Sequence, residues 1–102
     1  MQAESLRTNE ETKVENVSKS IMENDRVRVL QVLFKPNDKT VMHSHPDHVV
    51  YVLKGGKLRL TYSGKTEVLD LKTGQAIFLK AQSHEAENTG KTDVDLLVVE
   101  LK

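Results

Sequence analysis

The sequence predicts an all-β barrel or sandwich. Turn signals recur at Asn24-Asp25, Pro36-Asn37-Asp38, Pro46-Asp47, Gly55-Gly56, Ser63-Gly64, Thr73-Gly74 and Thr89-Gly90. Most lie roughly 8–12 residues apart, the spacing of short antiparallel strands joined by tight connections. The runs between them are rich in Val, Leu, Ile and Tyr, which fit a pleated, half-buried surface. No repeat, linker or low-complexity tract interrupts them after residue 24.

In chain order the expected strands are Arg26–Lys35, Thr40–His45, His48–Lys54, Lys57–Tyr62, Thr66–Leu71, Ala76–Lys80, His84–Asn88 and Val94–Leu101. Lys54-Gly55-Gly56-Lys57 and Tyr62-Ser63-Gly64-Lys65 read as two-residue hairpins, where glycine supplies the positive φ of a primed turn. Ahead of the strands, residues 1–13 (MQAESLRTNEETK) hold one large apolar residue, Leu6. They are expected to form a disordered or loosely docked arm, with the barrel domain spanning 14–102. Residues 14–22 are ambiguous. Val14, Val17 and Ile21 have helical spacing, but the stretch is short and rich in poor helix formers.

A chain of 102 residues has room for one domain with one modest core. Its 15 basic and 15 acidic residues balance, which gives no reason to expect nucleic acid or an anionic membrane as partner. The absence of cysteine excludes disulfides, thiolate metal sites and cysteine nucleophiles. No apolar run approaches the roughly 20 residues of a membrane span. Met1–Lys13 lacks the apolar region of a secretory signal, so a cytoplasmic location is expected. Two strands are apolar on both faces. In HVVYVL, Val50 and Val52 share a face with His48 while Val49, Tyr51 and Leu53 take the other, and Leu96–Val99 is unbroken. Something must then cover the outside of the barrel, either the N-terminal arm or a second subunit, and a homodimer is the favoured expectation. Phe34, Tyr51, Tyr62 and Phe78 are expected in the core, and Gln31 is either a partner of the functional site or an outer-face residue.

The chemistry-bearing residues are the four histidines, His43, His45, His48 and His84. Residues i and i+2 of a strand share a face about 6.6 Å apart, so the imidazoles of His43 and His45 can lean onto one ion. His48 would face the other way on an unbroken strand. Pro46-Asp47 breaks it, and a reversal there returns His48 to the first pair. His84 opens a distant strand and is expected to close the site from the facing sheet. One histidine alone is more often solvated or bonded to a carbonyl. All four at two turn-to-strand junctions, without a competing cysteine, point to a metal.

These residues carry a family resemblance. His43-Ser-His45-Pro-Asp-His48-Val-Val-Tyr-Val-Leu-Lys-Gly55 resembles the first motif of the cupin superfamily, and Gly74-Gln-Ala-Ile-Phe-Leu-Lys80-Ala-Gln-Ser-His84-Glu-Ala-Glu-Asn88 resembles the second. Together they span residues 37–88. The glycine that usually opens the first motif is Asn37 here, a residue that tolerates left-handed geometry. The usual proline of the second is Lys80, and His48 stands where relatives usually carry a glutamate ligand. The resemblance implies a jelly-roll barrel, or double-stranded β-helix, with frequent dimerisation. It implies one divalent transition metal ion (Fe, Mn, Ni, Cu or Zn) held by His43, His45 and His84, with His48 as fourth ligand. Four imidazoles leave the full dication uncompensated and favour such metals over Mg or Ca. The function implied is dioxygenase- or isomerase-like chemistry on a small molecule. The alternatives are a small-ligand-binding or sensing barrel and a purely structural metal.

Overall fold

The computed structural model describes residues 17–102; the arm expected over 1–13, and residues 14–16, lie outside them. Nine strands follow in order: β1 (Ser18–Glu23), β2 (Val27–Phe34), β3 (His43–His45), β4 (His48–Lys54), β5 (Gly56–Tyr62), β6 (Lys65–Leu71), β7 (Ala76–Leu79), β8 (Gln82–Glu87) and β9 (Val94–Leu101). They form two antiparallel sheets, one of five strands in the order β1-β2-β9-β4-β7 and one of four in the order β3-β8-β5-β6. The facing inner surfaces enclose the core. Alternation decides what goes in. Leu30 and Phe34 of β2, Val50 and Val52 of β4, Leu58 and Leu60 of β5, and Val94, Leu96 and Val98 of β9 are buried.

The ambiguous residues after Val17 become β1, paired along β2 with a bulge between Ser20 and Met22. Helical spacing loses because β2 offers a free edge that satisfies the backbone of this segment. Strand 40–45 is shorter than expected: only His43–His45 pairs as a strand, after an isolated bridge between Lys39 and Glu87. Asn37, with φ 74°, turns the chain before it, as its match to the motif glycine suggested.

Tyr62-Ser63-Gly64-Lys65 is the expected hairpin. Tyr62 pairs with Lys65, and both central residues have positive φ, 49° and 72°. Gly55-Gly56 is not a hairpin. β4 lies in the five-stranded sheet and β5 in the other, so the pair carries the chain between sheets, and neither glycine has positive φ. Gly55 is required by crowding instead: a Cβ there would stand 2.3 Å from the Leu71 carbonyl oxygen and 2.9 Å from the Thr73 nitrogen.

The aromatic expectation also needs correcting. Phe34 is in the core and Tyr62 packs against it, but Tyr51 and Phe78 lie on the outer face, 42% and 54% exposed. Cross-strand register there aligns Met22, Val29, Val99, Val49 and Phe78 in one apolar row across all five strands. Asn88 is a clamp. It is fully buried, its Nδ2 donates to the carbonyls of Phe34 (3.0 Å) and Thr92 (2.8 Å), and its Oδ1 accepts from Gly90 N–H (2.9 Å). Gln31 is on the outer face, donating to both carboxylate oxygens of Asp95 at 3.0 and 3.1 Å, away from the histidines. No helix among the described residues is long and apolar enough to cross a membrane.

Candidate metal centre

The strands bring all four histidines to one end of the barrel interior. β3 contributes His43 and His45 from alternate positions, both half-buried, with Ser44 between them pointing outward. β8 runs beside β3 in exact register, so His84 lies opposite His43. This corrects the expectation that His84 closes the site from the facing sheet: it is a neighbour in the same sheet. The facing sheet instead supplies His48. At Pro46-Asp47 the chain leaves the four-stranded sheet and enters the five-stranded one. The crossing is pinned by Asp47, whose Oδ1 accepts from Ala81 N–H at 2.8 Å and whose carbonyl accepts from Leu101 N–H at 2.9 Å. His48 therefore turns inward with Val50 and Val52 and is 2% exposed.

His45 is central. Its ring centroid lies 4.6 Å from that of His43 and 4.9 Å from those of His48 and His84, while His48 and His84 are 6.2 Å apart. Ligand-capable nitrogens of His43, His45 and His84 all fall within 4.8 Å of one another; the set at that separation does not include His48.

The hydrogen bonds fix which nitrogen each ring presents. Nδ1 of His43 donates to the Val41 carbonyl (2.7 Å), Nδ1 of His48 to the Pro46 carbonyl (2.8 Å), and Nδ1 of His84 to the side-chain oxygen of Gln82 (2.9 Å). Nδ1 of His45 donates to the carboxylate of Glu100. Every one of these partners is an acceptor, so every Nδ1 carries a proton, and in a neutral ring the lone pair is left on Nε2. None of the four Nε2 atoms has a hydrogen-bond partner among the described residues. Holding the remote ring nitrogen is how proteins aim imidazoles at a metal. Four such lone pairs, short of donors at a barrel end, fit a transition-metal cation.

Electrostatics favour the ligand-competent form. Burial pushes the pKa of His43 and His48 below the usual imidazole value. His84 falls to about 3, first through burial and then through the neighbouring imidazoles. The hydrogen bond from His45 holds the Glu100 carboxyl below the ordinary carboxylate range.

Glu100 is the residue that sequence reading missed. It is 7% exposed on β9, paired in register with His48 of β4 and Arg28 of β2, and the Arg28 guanidinium stands 3.8 Å from its Oε1. Its signal was present. Strand parity puts residue 100 on the face of Val94, Leu96 and Val98, and an acid on a core-facing parity asks for a partner.

A cavity extends from the histidines into the barrel. Among the described residues twenty line it, with no aspartate, glutamate, lysine, arginine, asparagine or glutamine.

The family model for the cupin domain matches residues 30–100. Among solved structures, a cupin domain from Bordetella pertussis Tohama I superposes with a TM-score of 0.79 at 25% identity, covering 84% of this chain and 92% of that one. A cupin family protein with a double-stranded β-helix fold from Methanocaldococcus jannaschii gives 0.69 at 15% identity over 83% and 78%. A cupin superfamily protein from Desulfitobacterium hafniense DCB-2 gives 0.65 at 17% over 82% and 74%. No curated protein matches this chain. With that family model covering well over half of its length, and a two-sheet barrel that carries both histidine motifs at one end, the chain belongs to the cupin family.

Proposed function

We propose that this cupin holds one divalent transition metal ion through Nε2 of His43, His45, His84 and His48, and that it acts on a small molecule at the open side of that ion. The carrying observation is that all four imidazoles have Nδ1 committed to an acceptor and Nε2 free. Nδ1 of His48 is held by an acceptor like those of the other three, and its ring would have to lean inward to share their ion. Imidazole donors suit Fe, Mn, Ni, Cu or Zn.

Of the reactions compatible with such a centre, oxygenase-type chemistry is the better supported. An isomerase moving a proton needs a base within hydrogen-bond reach of its substrate. Among the described residues the cavity wall has no carboxylate or amine, and Glu100 is committed to His45. When bound, a redox-active ion would supply the reactivity itself, and the protein would position the ion, orient the substrate and exclude water. We place the protein in the cytoplasm and pair two copies across the apolar row of the five-stranded sheet.

The test is elemental analysis of untagged protein, followed by nitric oxide as a probe of the Fe(II)-loaded form. About one ion per chain and a high-spin iron-nitrosyl resonance support an open, substrate-accepting centre. Absence of metal, with none taken up on titration, overturns the proposal. One ion that admits no nitric oxide makes the metal structural.

A further inference from the structure

The wall of the cavity identifies the kind of molecule that can sit beside the histidines. The cavity holds about 80 Å³ and runs from the imidazoles to Leu30, Leu58 and Leu71, deep between the sheets. Apart from the four histidines, the polar residues of its wall among those described are the hydroxyl-bearing Thr40 and Ser18. Thr40 is buried and its Oγ1 already accepts from Ala86 N–H. Val32, Leu69, Ile77 and Leu79 pack against the core, are only partly buried, and line the same space. A charged or polyhydroxylated body placed here would lose its hydration with no partner in return, at a cost of several kcal/mol per group. An apolar body gains on transfer.

We infer that the ligand of this site is a small molecule with one metal-binding donor group joined to an uncharged apolar body that enters the cavity between Val32, Leu69, Ile77 and Leu79. Sugars, nucleotides and dicarboxylates are excluded by the same wall. The donor half rests on the metal centre proposed above, whereas the apolar half stands on the cavity alone, and the two can fail separately.

Straight-chain carboxylates titrated into Co(II)-loaded protein test both halves, the cobalt absorption spectrum being the readout. They share one donor and differ only in tail length. Each methylene that enters an apolar cavity adds about fourfold to affinity. From acetate to butyrate the affinity should therefore rise about sixteen-fold, then level off as the space fills, and succinate should bind no better than acetate. Val32→Phe should flatten the series while leaving the cobalt content at one per chain. Ile77→Phe is the second variant should the first fail to fold. In parallel, benzene is added to the metal-free protein and the methyl resonances of Val32, Leu69 and Ile77 are followed by NMR.

Equal affinity for all the carboxylates, with no shift of those methyls by benzene, overturns the inference and leaves the metal centre standing. Benzene binding without any carboxylate response overturns the open metal centre and upholds the apolar ligand class. A tail-length series in which succinate matches butyrate overturns the exclusion of a second charge, and with it the inference.

Discussion

Replacing Glu100 by Gln should weaken metal binding about 10–100-fold while leaving the barrel folded. Gln keeps the shape and an oxygen that can accept from His45 Nδ1–H, so the substitution removes charge and little else. A hydrogen bond to a charged group contributes about 1.5–3 kcal/mol, against about 0.5–1.5 for a neutral one. The difference is about 1–2 kcal/mol, or a factor of about 5–30. The carboxylate would also stand one ring away from a bound ion, where its charge would offset part of the dication; losses of this kind for partners behind a ligand reach about 10–100-fold. Competition between the protein and a chromophoric chelator for Zn(II) or Co(II) measures the affinity directly. Glu87→Gln is the control, because Glu87 pairs with Arg59 at a half-exposed position outside the cavity lining. An affinity for the Glu100→Gln protein within twofold of the parent would refute the reasoning. The hydrogen bond would then hold His45 in place without tuning it.

Four further outcomes are expected. His48→Ala should lower metal affinity and His48→Glu should keep a metal while shifting preference toward Mn or Fe, since a hard anionic oxygen is added; competitive metal titrations that leave both variants like the parent would mean a site of His43, His45 and His84. The metal-free protein should lose stability on acidification: His84 is depressed to about 3 in the fold, so its contribution is fully present above the unfolded value of about 6.5 and is lost as pH falls from there toward 3. At pH 5 the gap of about 1.5 units is worth at most about 2 kcal/mol, and about 1 once water reaching the site is allowed for, which urea melts at pH 8 and pH 5 can resolve. Gly55→Ala should cost about 1–3 kcal/mol, because the added Cβ meets backbone atoms that cannot step aside, whereas Gly64→Ala meets open space and carries only the cost of positive φ, about 1–2 kcal/mol; paired denaturant titrations compare the two. Light scattering at micromolar concentration should return twice the 11.5 kDa chain mass, and Phe78→Lys with Val99→Lys should return the chain mass itself.

Period and parity made most of the strands legible. His48–Lys54 and Val94–Leu101 have the bounds their turn signals set, because each is flanked by breakers and is apolar on the face that ends up inside. Pairing partners were not legible, and the errors came from there. Gly55-Gly56 has the composition of a hairpin, yet β4 and β5 belong to different sheets, a fact that only the pairing of β4 with β9 and β7 decides. His84 was assigned to the facing sheet for the same reason. β1 was ambiguous because its exposed residues carry no periodic signal, and it exists by virtue of the β2 edge. The histidines could be found from spacing alone, since i, i+2 on a strand and a proline break constrain side-chain direction locally. Glu100 lies more than fifty residues from His45 in sequence, and no local pattern ties them together.

The position of Glu100 bears on how a site that lacks the usual glutamate ligand can still balance its ion. In the common motif a carboxylate binds the metal directly from the place that His48 occupies here. In this chain β4 and β9 pair so that Glu100 lies beside His48, in the next strand. The carboxylate here stands behind an imidazole, on His45 Nδ1. There it would present no hard oxygen to an ion held by the imidazoles, so the proposed donor set is all-nitrogen, which would favour imidazole-loving metals. It still supplies one negative charge at the distance of a single ring, partly shared with Arg28. It also withdraws from the cavity, since a carboxylate ligand would have brought its second oxygen to the wall. Among the described residues the wall carries no ionisable group but the imidazoles. With His48 as a proposed ligand and Glu100 behind His45, a bound dication would have one carboxylate nearby while the described lining of the cavity stays apolar. The double substitution His48→Glu, Glu100→Gln separates these effects. It should recover metal affinity relative to Glu100→Gln alone, move selectivity toward harder ions, and weaken the preference for an apolar ligand tail.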